Sequence, residues 1–128
     1  MKVEATFTVE NFRNASVELN PPVTTALPVS VATMTKHYVG QIEGVSATLF
    51  TSAFDHAAGT GTYVAMESFE GTVDGKTGSF NFIHSAAAVG TGRGDEFFRI
   101  VDASGTGELT GISGIGGITI KPDGTHIL

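Results

Sequence analysis

The chain has 128 residues and a mass of 13.2 kDa, which is the size of one ordinary domain, and we expect a single domain over residues 1–128. Its net charge of −6 disfavours nucleic acid as a partner, because such a surface repels phosphate backbones. Cysteine is absent, which excludes disulfides, thiolate nucleophiles and cysteine-based metal sites, whereas glycine is unusually frequent at 17 residues.

The hydrophobic pattern of the chain has a period of two, which is typical of half-buried β-strands. It first predicts a strand at residues 5–10. Residues 14–28 then lose the pattern, and three prolines fall within them at Pro21, Pro22 and Pro28. Because proline cannot donate to a β-ladder, we expect residues 14–28 to form an irregular covering loop.

The rest of the chain alternates between short predicted strands and tight turns. These strands cover residues 31–39, 44–54, 60–70, 79–85, 95–102, 106–112, 115–120 and 126–128. Asp74-Gly75 is a strong hairpin signal, and further turns are predicted at Gly90, Gly92 and Gly94 and at residues 122–124. No window shows a helical stripe with caps. The pattern predicts an all-β fold of roughly eight antiparallel strands with tight hairpin turns, in a sandwich or a barrel.

Motifs for cofactors and membrane targeting are missing from the sequence. Residues 111–117 are glycine-rich like a nucleotide-binding loop, but no helical pattern follows them, so we interpret them as corners and bulges. The four histidines show no metal-binding spacing, and we expect no metal and no cofactor. The N-terminus carries no apolar signal run, and no stretch approaches the ~18 apolar residues of a membrane span. We therefore expect a cytoplasmic protein without a membrane partner.

The residues with the clearest chemical potential lie on the faces of two predicted strands. Glu67 and His84 each alternate with aromatic residues on one face, and these residues are Tyr63, Phe69, Phe80 and Phe82. If these faces form the interior, Glu67 is a candidate general acid or base, and His84 is a candidate cross-strand neighbour. The alternative is a buried polar pair that only fixes the strand register.

Four segments match short motifs in the same order. Residues 36–44 match K-x-Y-x-G-x-x-x-G, and residues 63–71 resemble Y-V-G-x-E-x-x-x-G, with Ala65 in place of a glycine. Residues 75–84 resemble G-R-x-G-S-F…H, and residues 104–112 match S-G-T-G-E-L-x-G-I. These motifs resemble the bacterial family named domain of unknown function 3224, over about residues 31–124. The resemblance implies a β-barrel of the allene oxide cyclase type, but no established reaction.

Three functions are consistent with these residues. The first is a small-molecule enzyme that isomerises, cyclises or transfers a proton, with Glu67 as acid or base and His84 as its helper. The second is a non-catalytic, lipocalin-like carrier of an apolar or carbonyl-containing ligand. In both, the predicted lining of the cavity is Tyr38, Tyr63, Phe69, Phe80 and Phe82. The third is a filled barrel that acts through its surface as a homodimer or other homo-oligomer.

Overall fold

In a computed structural model, six long antiparallel strands follow one another in a single sheet. The structure describes residues 2–89, 92–120 and 126–127, with only the backbone at 119–120 and 126–127. The long strands are β1 (Ala5–Ala15), β2 (Val29–Gly40), β3 (Ile42–Asp55), β4 (Thr60–Val73), β5 (Lys76–Val89) and β6 (Gly92–Ile100). A 3₁₀ turn at Gly107–Leu109 and two short strands, β7 (Thr119–Ile120) and β8 (His126–Ile127), follow. The all-β prediction is confirmed.

The sheet has the order β6-β5-β4-β3-β2-β1-β8-β7 and is not closed within the described part of the chain. β8 pairs with β1, so the end of the chain extends the sheet on the side away from β6. At the other edge, a single bridge joins Arg99 of β6 to Ile115. The six consecutive long strands make most of the sheet, and each pairs with its neighbour in the sequence.

The predicted strand at residues 106–112 is wrong. Side-chain oxygens of this part of the chain bind backbone N–H groups of β5 that a paired strand would bind with its carbonyls. Ser104, Thr106 and Glu108 alternate along this segment, and each accepts a backbone N–H of β5 through its side-chain oxygen. The period of two is therefore real, but it serves contacts of side chains with the edge of β5. The predicted strand at 115–120 is likewise reduced to residues 119–120.

The turns and connections follow the sequence signals closely. Asp74 and Gly75 have positive φ angles of 50° and 81°, as a two-residue hairpin turn requires, and the register pairs Val73 with Lys76. The irregular connection starts at residue 16, two residues later than predicted, and its side chains are exposed except for the half-buried Leu27. The predicted turn does not extend to Gly92 and Gly94, which lie in β6, while Gly90 and residues 122–124 lie outside the described residues.

One face of the sheet curls around a phenylalanine-rich core. Alternate residues of the long strands are buried, including Phe7, Tyr38, Phe69, Phe80, Phe82 and Phe98. The backbones of β3 and β4 approach closely where Gly44 pairs with Gly71, since a Cβ on Gly44 would lie only 2.8 Å from Gly71 Cα. None of the helices in the described residues is long and apolar enough to cross a membrane.

Candidate functional site

Glu67 lies at the centre of the first of two buried polar clusters, and its side chain is 0% exposed. Lys36 Nζ of β2 lies 2.6 Å from Glu67 Oε2. Tyr38 of β2 and Ser46 of β3 donate hydrogen bonds of 2.8 and 2.6 Å to Glu67 Oε1. We call these four residues the Glu67 cluster. It ties three neighbouring strands together through one carboxylate.

The cluster compensates the cost of burying two charges. A buried carboxylate or ammonium group needs an opposite charge and further hydrogen bonds, because it has lost its water. Glu67 has both, and Lys36 also lies 4.9 Å from the centre of the Phe7 ring, as in a cation–π contact. Burial, reinforced by the neighbouring Glu67 carboxylate, raises the pKa of Tyr38 well above its ordinary value, so Tyr38 stays a hydrogen-bond donor.

His84 lies at the centre of the second cluster and is 1% exposed. Its Nε2 lies 2.8 Å from Glu96 Oε2, and its Nδ1 lies 3.2 Å from the Tyr63 hydroxyl. Arg93 forms an ion pair with the same Glu96 oxygen. We call these four residues the His84 cluster.

A β-bulge in β6 brings Arg93 to the same face of the sheet as Glu96. The register shifts after Ser85, and Asp95 takes a positive φ of 51°, a conformation that aspartate adopts more readily than most residues. Bulges of this kind turn a side chain to the opposite face of a strand. Glu96 alternates with the buried Phe98 and therefore shares its face, whereas Arg93 reaches that face because the bulge lets it pair with Ala88.

The protonation of the His84 cluster follows from its partners. An ionised carboxylate only accepts hydrogen bonds, so Nε2 of His84 donates to Glu96 and Nδ1 accepts from Tyr63 when the ring is neutral. Burial lowers the pKa of His84, although the Glu96 carboxylate opposes this effect. Burial would raise the pKa of Glu96, but hydrogen bonds from His84, the Ile118 backbone and Arg93 outweigh it and lower that pKa.

Glu67 and His84 lie diagonally across the β4–β5 hairpin and are not directly opposite each other. In the register of the β4–β5 hairpin, Glu67 faces Phe82 and His84 faces Ala65. The two side chains instead belong to separate clusters with different partners. Each of these two side chains therefore forms its hydrogen bonds with its own cluster.

A cleft of about 840 Å³ opens at the end of the sheet that carries the β4–β5 hairpin. One wall is residues 108–117, and the apolar floor includes Ile42, Phe69, Phe80, Phe82, Phe98 and Ile100. Neighbouring rings of the floor touch, with the centres of Phe82 and Phe98 4.8 Å apart and stacked. The cleft has the size and the apolar lining of a small-molecule site.

The structure divides the predicted ligand-binding residues into two groups. Phe69, Phe80 and Phe82 line the cleft. Tyr38 and Tyr63 instead belong to the Glu67 and His84 clusters, and neither is among the described residues that line the cleft. Glu67 and His84 lie on the same face as Phe69 and Phe82, one step farther along the strands from the β4–β5 turn.

Sequence reasoning missed four polar residues of the two clusters, and they are Lys36, Ser46, Arg93 and Glu96. The burial of Lys36 was predictable, because it lies two residues from Tyr38 and therefore on the same face of β2. Within residues 2–89 and 92–120, no three His, Asp or Glu side chains lie close enough together to hold a metal ion.

Comparisons with known proteins agree with this architecture. The sequence profile described as "Protein of unknown function (DUF3224)" matches residues 3–128. The crystal structure of a DUF3224 protein with unknown function from Shewanella oneidensis MR-1 superposes with a TM-score of 0.84 at 26% identity. That comparison covers 98% of this chain and 90% of the other chain. None of the curated proteins is similar enough to count as a match.

The Glu67 cluster predicts a strong energetic coupling between Glu67 and Lys36. Glu67→Gln leaves the Lys36 ammonium buried without its counter-charge, and we expect it to lower the free energy of unfolding by about 3–5 kcal/mol. Lys36→Met should have a comparable effect, whereas the double variant should recover much of the loss. Urea unfolding of the four proteins, with unchanged m-values, measures this coupling.

The exposed pair of Lys2 and Glu4 is the matched control, because its atoms lie 3.7 Å apart and both side chains face solvent. Glu4→Gln should barely move the urea midpoint. Additive losses in the Glu67/Lys36 double variant would contradict the proposed coupling.

The lowered pKa of His84 predicts acid sensitivity. The unfolded chain binds the proton more tightly than the buried ring does, so the free energy of unfolding should decrease as the pH falls from about 7.5 to about 5.5. One such proton contributes a slope of at most about 1.4 kcal/mol per pH unit. The lowered pKa of Glu96 places the loss of its own contribution at still lower pH.

Urea unfolding at several pH values measures this slope. His84→Gln should remove most of it, and His56→Gln, which changes an exposed histidine, should preserve it. An unchanged slope in His84→Gln would show that another group carries the acid sensitivity.

Proposed function

We propose that this chain, which belongs to the DUF3224 family of proteins of unknown function, binds a small apolar molecule in the cleft. The lining of the cleft is the observation that carries the proposal. Four phenylalanine rings line the same cleft, and its volume of about 840 Å³ lies within the range of small-molecule sites. A filled barrel that acts only through its surface would have no such cleft.

The charges around the cleft favour a neutral ligand. Two lysines and three carboxylates line it together with the apolar floor, and they are Lys2, Lys76, Glu4, Asp74 and Glu108. Lys2 lies near Glu4, and Glu108 accepts the backbone N–H of Thr77, so neither sign of charge dominates. A neutral apolar molecule, with at most a weakly polar group such as a carbonyl, fits this lining.

The geometry favours binding over catalysis. Glu67 and His84 are the predicted acid–base residues, but each is saturated by partners within its own cluster. A substrate in the cleft would meet Phe69 and Phe82, which neighbour Glu67 along and across the strands, before it reached the carboxylate. We therefore assign Glu67 the task of holding the strands together, and the ligand contacts to the cleft.

The proposal also treats the curled sheet as a barrel of the allene oxide cyclase type. Its support is the course of the C-terminal segment. Residues 114–116 hydrogen-bond to β6, and the chain then reaches β7 and β8, which extend the sheet from β1. The segment thus spans the gap between the two edges of the six-stranded sheet, and the cleft corresponds to the mouth of that barrel.

Binding of the neutral fluorescent probe N-phenylnaphthylamine tests the function. The wild-type protein should show a saturable rise in fluorescence, because the probe leaves water for an apolar site. Val73→Phe places a larger side chain in the cleft and should weaken binding roughly tenfold or more, as expected when about two methylene groups of the probe lose their burial.

Val39→Phe is the matched control, since Val39 is 66% exposed and does not line the cleft. It should leave the probe's dissociation constant unchanged. The absence of saturable binding to the wild-type protein, or equal affinities for the two variants, would overturn the proposed site.

A further inference from the structure

We propose that residues 112–118, which we call the strap, form a gate over the cleft, and that Arg93 and Glu96 latch this gate. The role of the gate rests on the proposed binding function. The latch does not, because it consists of contacts between β6 and the strap. The strap forms most of the wall that separates the cleft from solvent along the edge of β6.

The strap is held to the sheet by few main-chain bonds. Ile100 N donates to Gly114 O at 3.0 Å, and Gly116 N donates to Phe98 O at 3.3 Å. These two bonds flank the single bridge of Ile115 with Arg99, and Ile115 is 86% exposed. Segments with few and exposed backbone hydrogen bonds open at low free-energy cost compared with a full ladder.

The latch is a charged pair that holds both polar groups of one residue, Ile118. Its N–H donates to Glu96 Oε2 at 3.1 Å, and its carbonyl accepts a bond of 2.8 Å from Arg93 Nη2. Arg93 and Glu96 also pair with each other. Charge-assisted bonds of this kind are stronger than neutral ones, so the latch is the strongest hydrogen-bonded attachment of the strap, beside the burial of the Ile118 side chain in the core.

The His84 cluster supports the latch from inside the sheet. Nε2 of His84 binds the same Glu96 oxygen that accepts from Ile118, and it fixes the direction of the carboxylate. The Glu96 side chain thereby links the buried histidine to the strap. This gives the His84 cluster a purpose that does not require catalysis.

The glycines of the strap fit a segment that lies close to β6 and moves. A Cβ on Gly117 would lie 2.5 Å from Glu96 Oε1, and one on Gly116 would lie 3.1 Å from the Phe98 ring. Side chains at these positions would therefore push the strap off the latch. Glycine also leaves the backbone free to change conformation when the latch opens.

Amide hydrogen exchange followed by NMR tests the latch. In Glu96→Gln and in Arg93→Gln, the amides of Gly116 and Ile118 should exchange about tenfold faster or more, because a charge-assisted bond is lost. The amides at the centre of β3 and β4 should keep their wild-type rates, which separates local opening from global unfolding. Unchanged exchange at Gly116 and Ile118 in both variants would overturn the latch.

Asp102→Asn is the matched control. Asp102 and Arg99 form an ion pair with the same spacing of three residues, 3.5 Å apart, and both side chains are exposed. The ion pair of Asp102 is with Arg99 and not with Ile118, so this variant should leave exchange in the strap unchanged. Equal acceleration in Asp102→Asn would show that a general loss of charge, rather than the latch, controls the strap.

Stopped-flow binding of N-phenylnaphthylamine tests the gate. If strap opening limits entry, the association rate should rise severalfold in Glu96→Gln and Arg93→Gln, and remain at the wild-type value in Asp102→Asn. Faster strap exchange with an unchanged association rate would overturn the gate. Failure of the wild-type protein to bind the probe would overturn the binding function and the gate, while the exchange experiment would still decide the latch.

Discussion

A buried carboxylate with a full set of partners is the constraint on which this fold depends. Glu67 is fully buried, and an unpaired charge in that position would be too costly for a small domain of ordinary stability. Lys36, Tyr38 and Ser46 must therefore stay in place, and they fix β2 and β3 against β4. The register of the sheet centre and the direction of its inward face follow from this requirement.

The aromatic floor and the strap depend on that fixed centre. Tyr38 contacts both Glu67 and the ring of Phe69, so the polar cluster supports the first phenylalanine of the floor. The floor then continues through Phe80 and Phe82 to Phe98 on β6. Rigid strands thus carry one side of the cleft, whereas the other side is a glycine-rich segment with few bonds. Such a difference between a rigid wall and a weakly bonded wall is consistent with the proposed gate.

Much of the fold was predictable from the sequence, because alternation and turn residues act locally. Asp74-Gly75 even fixes the hairpin register, and counting back from that turn places His84 opposite Ala65 rather than Glu67. Glu96 alternates with the buried Phe98, so its face was predictable, whereas Arg93 was not, because a bulge at Asp95 brings it to that face against the alternation. Residues 104–108 also alternate, but their side chains bind the edge of β5, a distinction that periodicity alone does not carry.

The central claim is that Glu67 holds the sheet together while the cleft holds the ligand. A crystal structure of the protein grown with N-phenylnaphthylamine tests it most directly. The account predicts the probe between the phenylalanine floor and the strap, with Glu67 still bonded to Lys36, Tyr38 and Ser46. A probe seated against the Glu67 carboxylate, with Lys36 or Tyr38 displaced, would contradict the account and return Glu67 to a catalytic or ligand-binding role.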